Sequence, residues 1–343
     1  MYITDECNIR CEQCFYTPWL KRGNAEMSTA AAISLLRKFR ELGAVKVTFL
    51  GGEPTLYGRA PGNEPLPYLV AAAQNLGFGY TRVVTNGLFD KALLSDSRLR
   101  RINEITFSID GDTPEVHNRL RGGRTHEKAL RNLEAAVRTG YTVHLTMCAH
   151  RGNIGRTADG TLLLSRAIQW AASLGVKSFN LHPLFRMGVP RDLWMGETDI
   201  QPNEWISVYR ELQGCATRGE FGIPLRLPLR FTTPSEFSAT PRLHGYCSVK
   251  HADRLDIHPN GQIHTCALHI GTPISVAHFQ DEGEHLQIQW AQKHNEIETH
   301  PFKDGQNHPC PVMQGFPNGL LPLCISLKPG QVEFAWNRMR IDD

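Results

Sequence analysis

The chain has 343 residues, 41% hydrophobic and 21% charged, with a formal net charge of +3. That length buries a full core and suits one large domain with a smaller one beside it. The scattered basic residues give no nucleic-acid footprint, no run of about 20 apolar residues is present to span a membrane, and Met1-Tyr2-Ile3-Thr4-Asp5 carries neither region of a signal peptide. Neither nucleic acid nor membrane is therefore expected as a partner. Nine cysteines in such a chain point to thiolate chemistry in a reducing cytoplasm rather than to disulfides.

In chain order, short β-branched runs alternate with helical stretches, the pattern of a parallel sheet built from βα units. Strands are predicted over about 2–5, 45–50, 80–85, 104–109, 142–148 and 178–184. Between them the pattern predicts helices over Ser28–Leu42, Pro65–Leu76, Asp90–Arg101, Glu127–Thr139 and Thr161–Leu174. A sixth helix starts after Pro202, which suits a first helical turn, and runs to about Cys215. These units form an α/β domain over residues 1–223. Residues 224–244 contain Pro224, Pro228, Pro234 and Pro241 and read as a connecting segment. Beyond them, Arg254–His258 and Gln262–Thr265 flank Pro259-Asn260-Gly261, a predicted β-hairpin around an Asn-Gly turn. The rest, rich in Pro, Gly and His, is too irregular to fold on apolar burial alone, so residues 245–343 need another staple.

The chemistry begins with Cys7, Cys11 and Cys14, spaced C-x3-C-x2-C and followed by Phe15. Thiolates bind soft metals and iron–sulfur clusters. Three of them hold three corners of a [4Fe–4S] cubane, and the loop offers no fourth. Glu12 and Gln13 are poor soft-metal ligands, and the nearest histidine is His117. One iron is then left open to an exchangeable ligand. A structural zinc knuckle is the alternative, although closed zinc sites want four protein ligands and usually C-x2-C pairs.

Three further segments end predicted strands. Gly51-Gly52-Glu53-Pro54 follows Val45–Leu50, Thr85-Asn86-Gly87 follows Tyr80–Val84, and Ser108-Ile109-Asp110-Gly111 follows Glu104–Phe107, with His117–Gly122 after it. A lone Gly-Gly-Glu-Pro is only a strand-to-loop turn. Together with the cysteine loop, in this order, the segments resemble the signature of the radical S-adenosylmethionine (SAM) enzymes, through residues 1–184.

That resemblance implies a partial (βα)6 TIM-like barrel, with the motifs at strand C-terminal ends where parallel α/β proteins place their chemistry. It implies that SAM chelates the open iron and that one electron from the cluster releases methionine and a 5′-deoxyadenosyl radical, in a site that excludes water. Cys7, Cys11 and Cys14 would be the cluster ligands. Glu53 would accept the SAM ammonium, with Gly51 and Gly52 allowing close backbone approach. Asn86 belongs to the same cofactor-binding set. Ser108 and Asp110 stand where relatives contact the ribose or the SAM tail, and Tyr16 would lie near the adenine. Arg121 suits the SAM carboxylate, and equally suits a surface arginine ahead of a helix. A reductant such as flavodoxin or ferredoxin would supply the electron.

Cys247, Cys266, Cys310 and Cys324 are spaced C-x18-C-x43-C-x13-C. They resemble the twitch domain, a short relative of the SPASM domain, which would make residues 245–343 a small irregular α+β domain holding a second auxiliary [4Fe–4S] cluster. The family usually closes with C-x2-C, so the thirteen-residue spacing before Cys324 departs from its pattern. Four thiolates would close this cluster, leaving it for electron transfer or for stapling; a zinc site is satisfied equally well.

Substrate contacts are sought at the barrel mouth. The sixth predicted strand ends Asn180-Leu181-His182-Pro183-Leu184-Phe185-Arg186, and its alternation aims His182 and Arg186 at a polar or anionic substrate. Cys148 ends the fifth strand; it is either a hydrogen-atom donor, as in some radical SAM epimerases, or a small buried apolar residue. Cys215 reads as structural, and Met187–Gln201 as a lid or a βα connection.

Three functions compete. The first is hydrogen abstraction from a polar small molecule (sugar, cyclitol, nucleoside or amino-acid derivative), ending in dehydrogenation, decarboxylation or epimerisation, as in natural-product biosynthesis. The alternative is a maturase of a ribosomally synthesised peptide. It ranks second because only six residues precede Cys7 and the cysteines suffice for one auxiliary cluster. The third is a non-catalytic metal-binding protein, against which the intact motifs argue.

Overall fold

The computed structural model describes residues 1–14, 16–20, 25–183, 200, 202–227, 230–232, 254–265, 275–281, 286–290 and 321–323. In chain order the first elements are α1 (Thr17–Leu20), α2 (Thr29–Glu41), β1 (Lys46–Phe49), α3 (Leu66–Asn75), β2 (Tyr80–Thr85) and β3 (Glu104–Ser108). Next come α4 (Pro114–Arg121), α5 (His126–Arg138), β4 (Val143–Ala149), α6 (Leu163–Ser173), β5 (Phe179–Pro183), α7 (Pro202–Thr217) and β6 (Leu225–Arg226). Strands β1 to β6 lie side by side in chain order, each pair parallel. With helices in the crossovers, this is the expected α/β partial barrel. Its sixth strand lies just past residue 223, among the prolines.

Alternation along the strands separates two environments. Val83, Ile105, Phe107, Leu145 and Phe179 join Leu35 and Phe39 of α2, Leu69 of α3, Leu133 of α5 and Ile168 of α6 in one buried core. The opposite face is polar. Buried Glu104 accepts from the Tyr80 hydroxyl and from Thr106 Oγ1 (2.5 Å), with Arg82 and His144 each at 3.7 Å. Residues in phase with this network, Ser108 on β3 and Thr146 and Cys148 on β4, therefore line the barrel interior.

Three expectations need correction. Residues 2–5 form no continuous strand, because their backbone groups go three ways. Ile3 donates to Leu50, Tyr2 to Ile257, and Asp5 to Ala25. The predicted helix over Asp90–Arg101 is two 3₁₀ turns, Lys91–Ser95 and Leu99–Arg101. Asp90 and Asp96 each bind the backbone two residues on, a local bond that competes with helical pairing. Helix α4 was not predicted, although Thr113 caps it and Pro114 opens it. Arg121 thus closes a helix rather than preceding one.

The later strands are β7 (Arg230–Thr232), β8 (Asp256–Ile257), β9 (Gln262–His264), β10 (Ala277–Asp281), β11 (Leu286–Trp290) and β12 (Leu321–Leu323). Strands β8 to β11 form an antiparallel sheet, and β7 pairs with β12. The Asn260-Gly261 hairpin is present, with Gly261 N–H bonded to His258 O at 3.0 Å. Glycine is needed there twice over: φ is +89°, and a Cβ would stand 2.5 Å from Phe279 O. Among the described residues, no helix is long and apolar enough to cross a membrane.

Candidate active site

The cysteine loop is tied to the ends of the strands. Glu12 N–H donates to Leu120 O at the end of α4 (3.0 Å), and Gln13 Nε2 to Asp110 Oδ2 (2.8 Å). Asn86 Nδ2 reaches both Asn8 Oδ1 (2.8 Å) and Cys7 Sγ (3.9 Å). The three thiols are free, partly buried, and close enough to one another to interact electrostatically. Burial pushes the Cys7 thiol up to about 11 and Cys11 to about 12, with the Arg121 guanidinium opposing the rise at Cys11. Cys14 is raised by burial too, although the Tyr16 backbone N–H and the Thr17 hydroxyl oppose the rise. Loading a metal here must therefore expel protons.

Gly51 and Gly52 are glycine because of crowding, not because of their dihedrals. A Cβ on Gly51 would lie 2.5 Å from Thr4 O, and one on Gly52 2.3 Å from Glu6 O. The approach lets Gly52 N–H reach Thr4 O (2.8 Å) and Glu53 N–H reach Glu6 O (2.7 Å), fixing the chain just before Cys7. Glu53 is 1% exposed. Its Oε1 accepts from Thr55 N, Thr55 Oγ1 and Thr85 Oγ1, at 3.2, 2.7 and 2.6 Å, and Oε2 from Asn86 N at 2.7 Å. Burial raises its carboxyl while these donors oppose the rise. Oε2 keeps one acceptor position for a further donor such as an ammonium. In Glu53→Gln the amide NH2 must face donors already in place. We expect SAM affinity to fall at least tenfold by equilibrium dialysis and stability to drop by about 1–3 kcal/mol.

Asp110, fully buried, is the hub of the opposite wall. Oδ2 accepts from Arg121 Nε at 2.6 Å and from Gln13, and Oδ1 from Cys148 N–H at 2.7 Å. Burial works to raise this carboxyl, but Arg121 and the Cys148 N–H bring it below its ordinary value. Asp110 N–H donates to His117 Nδ1, while its carbonyl accepts from His150 Nε2 (3.2 Å) and Asn153 Nδ2 (3.3 Å). Burial pushes the His117 imidazole down to about 3, so it stays neutral as this acceptor. The sequence flagged Asp110 and Arg121 but missed Gln13, His150 and Asn153, which carry no motif; only the fold gathers them round one carboxylate.

The remaining expected residues fall as follows. Ser108 is half-buried at the inner end of β3. Cys148 lies opposite His182 in the β4–β5 register. Burial raises the Cys148 thiol well above its ordinary value, and the Asp110 carboxylate adds to this, so the sulfur keeps its proton beside Arg121 and Cys11. His182 leaves much of its own surface open, yet the protein packed round the mouth lowers its imidazole to about 4. Tyr16, expected near an adenine, is instead 3% exposed and stacked on Tyr2 at 5.0 Å, its hydroxyl bonded to Asp5. Arg121 is largely withdrawn from solvent against Asp110, its side chain 11% exposed. Arg186, Cys247, Cys266, Cys310 and Cys324 lie outside the described residues.

Among the described residues, no three His, Cys, Asp or Glu side chains converge on one point as a mononuclear metal site needs. A cubane binds its three thiolates through three separate irons and needs no such point. Three free sulfurs, the Gly51-Gly52 approach and the spare acceptor of Glu53 fit a cluster with SAM beside it.

Residues 1–162 match the Radical SAM superfamily. The match takes in the cysteine loop and the Gly51–Pro54, Thr85–Gly87 and Ser108–Gly111 segments. The chain is similar to the PqqA peptide cyclase of Streptomyces rochei, 29% identical over 180 residues, which is 52% of this chain and 46% of that protein. It is also 29% identical over 172 residues to the PqqA peptide cyclase of Xanthomonas oryzae pv. oryzae, covering 50% and 44%. The chain thus spans about half the length of these curated relatives. Streptococcus suis SuiB bound to SAM shares the fold with a TM-score of 0.58 and 17% identity, over 79% of this chain and 60% of SuiB. AdoMet-bound anSMEcpe does so with a TM-score of 0.59 and 15% identity, over 80% and 76%.

These comparisons overturn the polar small molecule expected as substrate partner. The curated relatives are named for the PqqA peptide, and the fold neighbours include SuiB bound to precursor peptide SuiA and anSMEcpe with the Kp18Cys peptide. The residues ahead of Cys7 and the count of cysteines say nothing of the shape of the barrel mouth, where substrate class is decided.

Proposed function

We propose that this chain is a radical SAM enzyme that modifies a ribosomally synthesised peptide. The observation that carries the reading is the 29% identity with PqqA peptide cyclase over 180 residues of the radical SAM region. When bound, the [4Fe–4S] cluster and SAM supply a 5′-deoxyadenosyl radical. Cys7, Cys11 and Cys14 hold the cluster, and Glu53 Oε2 takes the SAM ammonium on its free side. Asn86 steadies the loop through Asn8 and the Cys7 sulfur. Asp110 locks Arg121 and Gln13 against the loop, with Ser108 at the mouth. Cys148 presents a protonated thiol inside the barrel, opposite neutral His182. Arg186 follows on the same segment as a substrate contact. Residues 245–343 form the auxiliary domain, joined to the barrel by the chain after β6, with Cys247, Cys266, Cys310 and Cys324 holding a second [4Fe–4S] cluster. Electrons come from a flavodoxin or ferredoxin in the cytoplasm.

The test is anaerobic reconstitution with iron and sulfide, an iron count, and assay of 5′-deoxyadenosine with dithionite and SAM. About eight irons per chain supports both clusters, and about four reduces the second cysteine set to a zinc or metal-free staple. Synthetic PqqA peptide and a pool of unrelated peptides are then compared with a pool of sugars, cyclitols and nucleosides. Peptide-stimulated 5′-deoxyadenosine with a mass change in the peptide is the expected result. Stimulation by the small molecules alone would overturn the peptide reading.

A further inference from the structure

His258 is separated from Tyr16 by 242 positions in sequence, yet its Nδ1 lies 3.5 Å from the Tyr16 hydroxyl. The imidazole stacks on Tyr2 with centroids 4.4 Å apart, and Tyr2 stacks on Tyr16 at 5.0 Å. The Tyr16 hydroxyl donates to Asp5 Oδ1 at 2.6 Å. With that proton committed, the contact with His258 requires the imidazole to donate from Nδ1. Its Nε2 is then a bare acceptor, buried and without a partner among the described residues. His258 itself is 3% exposed, and burial lowers its imidazole to about 2, which keeps it neutral.

The stack leads directly to the cysteine loop. The Tyr16 backbone N–H faces the Cys14 sulfur, and Thr17 N–H donates to Cys14 O at 3.0 Å. Tyr2, Tyr16 and Leu20 form a small buried cluster with Cys7 and Cys14 packed against it. The side chain of Tyr16 therefore decides where those N–H groups point, and it is clamped by Tyr2, Asp5 and His258 together. His258 stands at the mouth of the hairpin, and β8 is also joined to the N-terminal segment by the Tyr2 N–H to Ile257 O bond of 2.7 Å.

We infer that His258 is a positioning residue for the Cys7–Cys14 loop, holding the Tyr16 N–H on the Cys14 sulfur and the Thr17 N–H on the Cys14 carbonyl through the Tyr2–Tyr16–Asp5 stack. The inference rests on the reading of that loop as the cluster site. Hydrogen bonds to a cluster's sulfurs stabilise its reduced, more negative form and so tune its potential. Loosening the clamp makes the cluster harder to reduce. The C-terminal sheet thus acts on the SAM-side centre without contributing a ligand to it.

The test is a redox titration of the reconstituted protein followed by electron paramagnetic resonance, with iron content and thermal midpoint measured alongside. His258→Leu is expected to lower the reduced-to-oxidised ratio about tenfold at a fixed reductant poise, 59 mV for a one-electron couple. His258→Asn, which keeps a donor near the Nδ1 position, should stay close to the parent. Tyr16→Phe should shift in the same direction as His258→Leu, and the double variant should add little to the larger single effect. A fully loaded His258→Leu protein with the parent's potential overturns the inference. If that variant melts early or takes up no iron, Tyr16→Phe decides: a parent-like potential there overturns it equally. A parent protein that binds no iron overturns the cluster reading along with it, whereas an unchanged potential overturns this inference alone.

Discussion

Asp110→Ala is expected to lower the unfolding free energy by about 3–5 kcal/mol, because it leaves the Arg121 guanidinium buried with no counter-charge. The effect is large because one carboxylate serves three donors from distant segments: Gln13, Arg121 and the Cys148 N–H. Denaturant unfolding of the metal-free protein measures the loss separately from cluster loading. Asp110→Asn gives a second reading. Its carbonyl can face either Cys148 or the Arg121–Gln13 pair, while its NH2 opposes the donors on the other side. The pH dependence has a definite sign. The folded carboxyl is held below its ordinary value of 3.8, so its contribution is complete above that pH and is lost as the pH falls through the folded value. Acid unfolding should therefore be shallower in Asp110→Asn, where nothing titrates at this position. Equal acid slopes in variant and parent would show that Arg121 does not depend on this charge.

Gly52→Ala is expected to damage both stability and iron uptake although it adds a single methyl group. The new Cβ would stand 2.3 Å from Glu6 O and 2.9 Å from Asp5 O, and backbone cannot step aside as a flexible side chain does. Relieving the clash must break the Glu53 N–H to Glu6 O bond of 2.7 Å and shift the residues leading into Cys7. Overpacking of this kind costs about 1–3 kcal/mol. Reconstituted Gly52→Ala should hold less than half the parent's iron in the first cluster, read from the iron count and from the cluster's absorbance. Gly43→Ala is the control for glycine removal in general: its φ is +95°, but a Cβ there meets nothing within 4 Å. Strain without intrusion on the loop should lower its melting temperature and leave iron uptake intact. Parent-like iron in Gly52→Ala would mean that the cysteine loop tolerates displacement of its approach.

The sequence by itself determined the elements with strong period and clear caps, and the residues whose chemistry shows in their spacing. Strands β2 to β5 and helices α2, α3, α5 and α6 fall where β-branched runs and apolar faces predict them, because each pattern follows directly from which face is buried. The three-cysteine loop and Gly51-Gly52-Glu53 were legible for the same kind of reason: thiolate spacing and paired glycines narrow the chemistry before any fold is known. Other features were decided by contacts between residues far apart in sequence. Residues 2–5 were predicted as a strand and became a three-way seam, since the partners at Leu50, Ala25 and Ile257 exist only once the barrel and the second sheet have formed. Arg121 looked like a candidate for a carboxylate ligand or for the surface, and only the fold set it against buried Asp110 at 2.6 Å. Tyr16 sits next to the motif, but its ring turns inward, where it bonds Asp5 and stacks on Tyr2 beside His258. Local periodicity and ligand spacing are properties of neighbouring residues, so a linear reading captures them. The polar hub at Asp110 and the clamp at His258 arise from pairings across 97 and 242 positions, which only the packed chain brings within hydrogen-bond reach.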